Sequence, residues 1–288
     1  AGGAVANVAV GLARLGVEAA FLGKVGEDPF GHFLERTLSA AGVDTRFLVF
    51  DPEHRTGLAF VSLPADGERD FVFFRNPSAD MLHRPEEVPD AALEGCRVFH
   101  FGSISLIQEP SRSATLATLA RARQRGALVS FDPNLRAPLW PNLEAARRQM
   151  LAAIPLADLV KVSEEEAGFL YGPGSLEDHA GRLLASGPCL VAITRGESGS
   201  YLAMRGASAA APGLPVECVD ATGAGDGFVA GLLACILERS GPDNLTGDDL
   251  ARIGRFANAV GALTCTRKGA INALPTRQAV DALLAGVR

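Results

Sequence analysis

Along most of the chain, short apolar runs of strand length alternate with longer stretches in which apolar residues recur at helical spacing. The runs at 19–22, 98–101, 127–131, 159–162 and 189–193 are each followed by such a stretch. A strand that feeds a helix returning to the start of the next strand gives parallel pairing, with helices covering both sheet faces. The pattern therefore predicts an α/β fold with a mainly parallel sheet. It breaks once, where two β-rich runs at 56–63 and 69–75 are joined by Pro64-Ala65-Asp66-Gly67-Glu68 and predict an antiparallel hairpin. Such a hairpin suits a lid over a site at the carboxyl ends of the parallel strands, and an ordinary edge hairpin carries the same signature.

Composition narrows the class. The 288 residues are 48% hydrophobic and 21% charged, as in water-soluble globular chains, and no run of about 18 apolar residues predicts a membrane span. Five cysteines, Cys96, Cys189, Cys218, Cys235 and Cys265, lie far apart without a CxxC pair, which argues against a disulfide framework or a zinc site. The net charge of −6, with no dense basic run, argues against a nucleic-acid partner. It leaves phosphate ligands open, because backbone N–H groups and a few arginines hold phosphate whatever the global charge.

The most informative segment is Val219-Asp220-Ala221-Thr222-Gly223-Ala224-Gly225-Asp226-Gly227-Phe228, followed by an apolar run with helical spacing. Small residues at Gly223, Ala224 and Gly225 let backbone N–H groups converge at a helix N-terminus, where the helix dipole also favours an anion. A carboxylate at Asp226 would repel a bound phosphate, unless it takes the proton of an attacking hydroxyl while the N–H groups stabilise the transferring phosphoryl. The competing reading is a tight turn in which Asp226 caps a helix. There is no GxxxxGK[ST], no continued GxGxxG and no GxSxG, so P-loop, dinucleotide and hydrolase-elbow chemistries lack support.

Other segments offer polar groups. Gly2-Gly3 with Asn7 could let backbone and amide approach a polyol. Asp132-Pro133-Asn134-Leu135-Arg136 follows a strand, where the site loops of α/β sheets lie. Arg75 ends the hairpin and could reach a substrate, although an arginine at a strand end is commonly a solvated surface group. Glu164, Glu165 and Glu166 open a helix, where negative charge favours the dipole without any metal being involved.

Taken together, these segments resemble the ribokinase-like (PfkB) carbohydrate kinases, and within them the fructokinase branch. The resemblance runs over nearly the whole chain: GGAVANVAVGLARLG, GKVGEDPFG, the segment 55–82, FHFGSISL, FDPNLRAPLW, KVSEEE, DATGAGD and FANAVGALTCTRKGAINALPT, in that order. It implies a three-layer α/β/α sandwich with a small β lid, built as a single kinase domain over 1–288 with the lid hairpin at about 56–75. The family normally starts further upstream, with a first strand and a sugar-binding Asp, so the resemblance also implies that an N-terminal strand is missing from this sequence.

The same resemblance assigns candidate residues. Asp226 would be the general base, with Gly223, Ala224 and Gly225 as the anion hole. Gly2, Gly3, Asn7, Arg75 and Arg136 would contact substrate. Thr194, Gly196, Gly199, Gly225 and Asn258 would contact ATP, and Glu166 would act on Mg2+ through water. Ser163 stands where many relatives carry the Asn of an Asn-x-x-Glu element, which weakens the magnesium detail alone. The implied reaction is transfer of the ATP γ-phosphate to the 6-hydroxyl of fructose. A 2-keto-3-deoxygluconate kinase, using Arg75 and Arg136 on a carboxylate, and a catalytically impaired sugar-binding or regulatory relative remain alternatives. The resemblance further implies a cytoplasmic protein, a monovalent cation such as K+ as a second candidate ion, and a homodimer through the lid as a candidate assembly.

Overall fold

In the computed structural model, which describes residues 1–62, 70–239 and 241–286, the alternating pattern becomes alternating strands and helices. The first part of the chain comprises α1 (Ala4–Arg14), β1 (Gly23–Gly26), α2 (Pro29–Ala40), β2 (Leu48–Asp51), β3 (Leu58–Ser62) and β4 (Asp70–Phe74). The middle follows the βα rhythm: β5 (Val98–Gly102), α3 (Ser111–Gln124), β6 (Leu128–Asp132), α4 (Leu143–Ala153), β7 (Leu159–Ser163), α5 (Glu164–Tyr171), α6 (Leu176–Ala185) and β8 (Leu190–Thr194). The last part comprises β9 (Ser200–Met204), β10 (Ala207–Ala211), α7 (Ala224–Glu238), α8 (Gly247–Cys265) and α9 (Arg277–Gly286).

The main sheet has the order β10-β9-β8-β7-β6-β5. Strands β5 to β8 are parallel, and β9 and β10 extend the sheet antiparallel. Alternation along each strand sorts the core into two layers. Leu159, Leu190, Ala192 and Leu202 pack with α1, α7 and α8, whereas Val160, Val162, Val191, Ile193, Tyr201 and Ala203 pack with α3 to α6. This is the expected three-layer α/β/α sandwich. No described helix is long and apolar enough to cross a membrane.

One expected strand moves. The run 19–22 is not a strand: Ala20 makes a single bridge to Asp44, and the ladder begins only at β1, where Gly23 to Gly26 pair parallel with Leu48 to Asp51. The apolar side chains of the run serve packing instead, with Ala19 and Phe21 covering the cluster between α1 and α2. An apolar run becomes a strand only where a partner strand lies alongside it.

Strands β3 and β4 pair antiparallel, Leu58 opposite Phe74 and Ser62 opposite Asp70. The connecting Pro64 to Glu68 lies outside the described residues. The base of the pair is tied to the rest of the molecule through Asp28, the N-cap of α2. Its carboxylate accepts from the N–H groups of Phe30, Gly31 and Thr56 and from the Thr56 hydroxyl, and that hydroxyl accepts in turn from Gly26 N–H at 3.0 Å. Lys24 adds ion pairs to Asp51 at 3.0 Å and Glu87 at 2.8 Å.

Helix α7 lies at the centre of its layer, buried from Asp226 through Ile236. Neighbouring helices approach it so closely that a Cβ on Gly231 would sit 2.9 Å from the Ala257 backbone of α8, and one on Gly11 of α1 would sit 2.6 Å from the Ala230 methyl. Such contacts fix the direction in which the first turn of α7 points.

Candidate active site

The turn that opens α7 is held from both sides. Asp220 accepts from Thr222 N–H at 3.0 Å and from its hydroxyl at 2.7 Å, while its other oxygen accepts from Gly269 N–H at 2.9 Å. Gly223, the N-cap, has φ 81°, and a Cβ there would meet the Ala270 methyl at 2.9 Å, so both backbone and space require glycine. The first bond within the helix runs from Gly227 N–H to Gly223 carbonyl at 2.8 Å. The N–H groups of Gly225 and Asp226 precede it, in the part of a helix where donors lack helical acceptors. Ala224 N–H, expected to join them, donates back to the Ala221 carbonyl at 3.2 Å.

Asp226 does not behave as a helix cap. Its Oδ2 accepts from Asn7 Nδ2 at 2.6 Å and its Oδ1 from Asn134 Nδ2 at 3.4 Å, so two amides from distant elements clamp one buried carboxylate. Burial pushes its pKa up, opposed by the Asn7 bond and by the charges of Lys161 and Arg136. A raised pKa suits a group that exchanges a proton during the reaction. The Asn7 amide oxygen is itself buried without a hydrogen-bond partner among the described residues. An unpaired buried acceptor costs about 1–3 kcal/mol, a cost that a ligand hydroxyl would remove.

Several sequence candidates meet here. Asn7 lies in the first turns of α1, and Gly3 is the N-cap of that helix at φ 124°, with its carbonyl accepting from Asn7 N–H at 2.8 Å. Gly2 and Gly3 are exposed at this end. Arg136 sits close enough for its charge to bear on Asp226, and its guanidinium also donates to the Leu135 carbonyl at 3.1 Å. Glu166 reaches the same loop: Oε1 accepts from Leu135 N–H at 2.7 Å and Oε2 from Ser163 N–H at 2.8 Å, completing a capping box with Ser163. Arg75 is differently engaged, as its guanidinium forks onto Asp80, with Nε at 2.9 Å from Oδ2.

The candidates for ATP form a second group. Arg195 N–H donates to Gly199 carbonyl at 2.8 Å and closes the β8–β9 turn that carries Thr194, Gly196 and Gly199. Gly199, at φ 95°, presses so closely on Ala211, Pro212 and Gly213 that no Cβ fits. Asn258 of α8 donates to the carbonyls of Ala211 at 3.0 Å and Pro212 at 3.1 Å. The turn and the helix thus converge on the exit of β10, and the Asn258 amide anchors this backbone.

The structure brings three further residues to the centre: Asp132 and Asn134, which sequence reasoning placed in a site loop without a role, and Lys161, which it missed. Asn134 adopts φ 44°, and its N–H donates to Asp132 Oδ1 at 3.2 Å. Lys161 Nζ lies 3.2 Å from Asp132 Oδ2, both groups being buried. Burial, with Glu166 and Asp226 adding to it, pushes Asp132 up to about 7 against the pull of Lys161. Lys161 is raised, because these carboxylates outweigh its own desolvation. The available signal for Lys161 was a charged residue inside an otherwise apolar run. Among the described residues, no three His, Cys, Asp or Glu side chains group to hold a metal.

The family model for pfkB family carbohydrate kinase matches residues 1–277. A fructokinase-1 of Zea mays is 48% identical over 285 residues, covering 98% of this chain and 88% of that protein. Among solved structures, a fructokinase of Vibrio cholerae O395 with bound fructose, ADP and calcium ion is 40% identical, with a TM-score of 0.89 over 98% of this chain and 91% of that one. A fructokinase of Xylella fastidiosa with bound ATP is 36% identical, with a TM-score of 0.91 over 99% of this chain and 90% of that one. With the family model and these relatives matching nearly the whole chain, and the three-layer fold agreeing with the solved structures, the chain belongs to the pfkB family of carbohydrate kinases.

Proposed function

We propose that this carbohydrate kinase is a fructokinase that transfers the γ-phosphate of ATP to the 6-hydroxyl of fructose. The observation that carries the reading is the Asp226 carboxylate, clamped at the N-terminus of α7 beside an Asn7 amide oxygen that lacks a partner among the described residues. A sugar hydroxyl donating to Asp226 would lose its proton there as the phosphoryl arrives. The first-turn N–H groups of α7 and the Arg136 guanidinium would meet the charge on the transferring oxygens. Asn7 and the exposed Gly3 backbone would orient the sugar. The turn carrying Thr194, Gly196 and Gly199, with the backbone anchored by Asn258, would receive the nucleotide.

Magnesium, when bound, supplies charge that neutralises the phosphate oxygens. The donor set fits a cation held mainly by phosphates and water: both Glu166 oxygens already accept an N–H, which leaves lone pairs for a coordinated water. The hairpin would serve as the lid. Its outer face carries Phe60, Val72 and Phe74, which are 58%, 48% and 60% exposed, and a second copy of the chain would cover that face in a homodimer.

The deciding experiment is a steady-state assay with ATP against fructose, ketodeoxygluconate, ribose and glucose. Fructose should exceed ketodeoxygluconate in kcat/KM by at least about tenfold, or roughly 1.4 kcal/mol of differential transition-state binding. A higher kcat/KM for ketodeoxygluconate would reassign the sugar, with Arg136 then read as a carboxylate ligand, and leave the family unchanged.

A further inference from the structure

Strands β5, β6 and β7 present an unusual row to the α1 and α7 side of the sheet. Period-two alternation from Val98, Leu128 and Leu159, which pack in that layer, places His100, Ser130, Asp132 and Lys161 on the same face. His100 Nδ1 lies 3.0 Å from Ser130 Oγ, and burial together with Lys161 pushes the imidazole down to about 4. Lys161 therefore stands as an ammonium between a neutral histidine and three carboxylates. Its Nζ lies only 3.2 Å from where a Cβ on Gly225 would be, directly behind the first turn of α7. A buried ion pair often contributes no more stability than well-packed apolar residues of similar volume.

We propose that Lys161 is a positioning residue for phosphoryl transfer. Through Asp132 it fixes the Asn134 turn, whose side-chain amide holds Asp226, and behind Gly225 it places a positive charge under the reactive end of α7. The two roles share one geometry: Asp132 Oδ1 accepts from Asn134 N–H while the carboxylate pairs with Lys161 Nζ. The absent side chain at Gly225 gives the ammonium its place. The inference rests on Asp226 as the general base. The groups facing that carboxylate are the neutral Asn7 from α1, Lys161 from β7, Asp132 from β6, and Asn134 and Arg136 from the loop after β6, with Glu166 of α5 acting on Asp132 and Lys161.

Lys161→Met keeps the length and apolar stem of the side chain and removes the charge. It should lower kcat by about 10²-fold while changing KM for fructose by less than about threefold. It should also move the acid limb of the kcat/KM profile upward by about one pH unit, because Asp226 loses a cation that favours its charged form. Lys161→Arg should recover about tenfold of the lost kcat. Packing damage would instead lower the melting temperature and leave the limb in place. If Lys161→Met does not fold, the double variant Asp132→Asn/Lys161→Met, which leaves neither member of the pair charged, takes its place and should show the same loss of kcat. A double variant with kcat within about twofold of the parent would overturn the proposal. Asp226→Asn separates the two failures: if that variant turns over normally, the base assignment falls and takes this inference with it. If it is inactive while Lys161→Met keeps its rate and pH limb, only the role of Lys161 falls.

Discussion

The foot of α7 and the β3–β4 hairpin are built in opposite ways. Around Asp226 the carboxylate is held by partners from several elements: Asn7 from α1, Asn134 from the β6 loop, and the Lys161–Asp132 pair beneath. The hairpin instead exposes Phe60 and Phe74, in edge contact at 5.5 Å, and is fastened at its base through Asp28–Thr56 and Arg75–Asp80. The difference separates two needs. A proton acceptor must be held within a fraction of an ångström, which requires a dry, over-determined setting, whereas a cover must move over substrate, which requires few and polar attachments.

The largest expected effect tests the rigid side. Asp226→Asn preserves shape but cannot take a proton, and kcat should fall by about 10²–10⁴-fold, or roughly 3–5 kcal/mol. ATP affinity should hold or improve, since a negative charge beside the γ-phosphate is gone, and the melting temperature should barely move. Turnover near the parent's would reduce Asp226 to a structural group, and with it the contrast between the two regions.

An intermediate effect tests the fastening. Asp28→Ala strips the α2 cap and the Thr56 anchor together and should cost about 2 kcal/mol in denaturant unfolding. It should also raise KM for fructose more than it lowers kcat. Burial alone would raise the Asp28 pKa, but the donors from Thr56, Gly31 and Phe30 outweigh it and hold the carboxylate below its ordinary value. Its contribution is therefore complete above the unfolded carboxylate pKa of about 4 and fades as pH falls through the folded value. Asp28→Ala should accordingly lose less stability than the parent on acidification below pH of about 4.

The smallest effect on stability belongs to the outer face of the hairpin. Phe60→Ser and Phe74→Ser should each change unfolding free energy by less than about 0.5 kcal/mol, because these rings are exposed in the single chain. Light scattering should register the change if a second copy covers the face, by showing a dimer that becomes a monomer. A parent that is monomeric at all concentrations would remove the homodimer.

Much of this was legible beforehand because it is local. Strand–helix alternation follows from residue periodicity, and four of the five apolar runs became strands within one residue of their bounds. The turn at Gly223 was readable because the demands of a tight anion-binding turn act on adjacent residues. The run at 19–22 misled because apolar content signals burial, while a strand also needs a neighbour, and the ladder with β2 starts at Gly23. Lys161 escaped notice because a charged residue in an apolar run says nothing of what it faces.

By itself the sequence determined the strand–helix alternation of the middle of the chain, the two-sided burial of the parallel strands, the small-residue turn ahead of α7 and the family. Only the tertiary structure decided what holds Asp226. Asn7 is 219 residues away and Asn134 is 92 residues away, and Lys161 reaches Gly225 only because β7 lies under α7. Propensity and periodicity act over a few residues, whereas the burial and charge that set a carboxylate's proton affinity come from whichever groups the packed layers bring beside it.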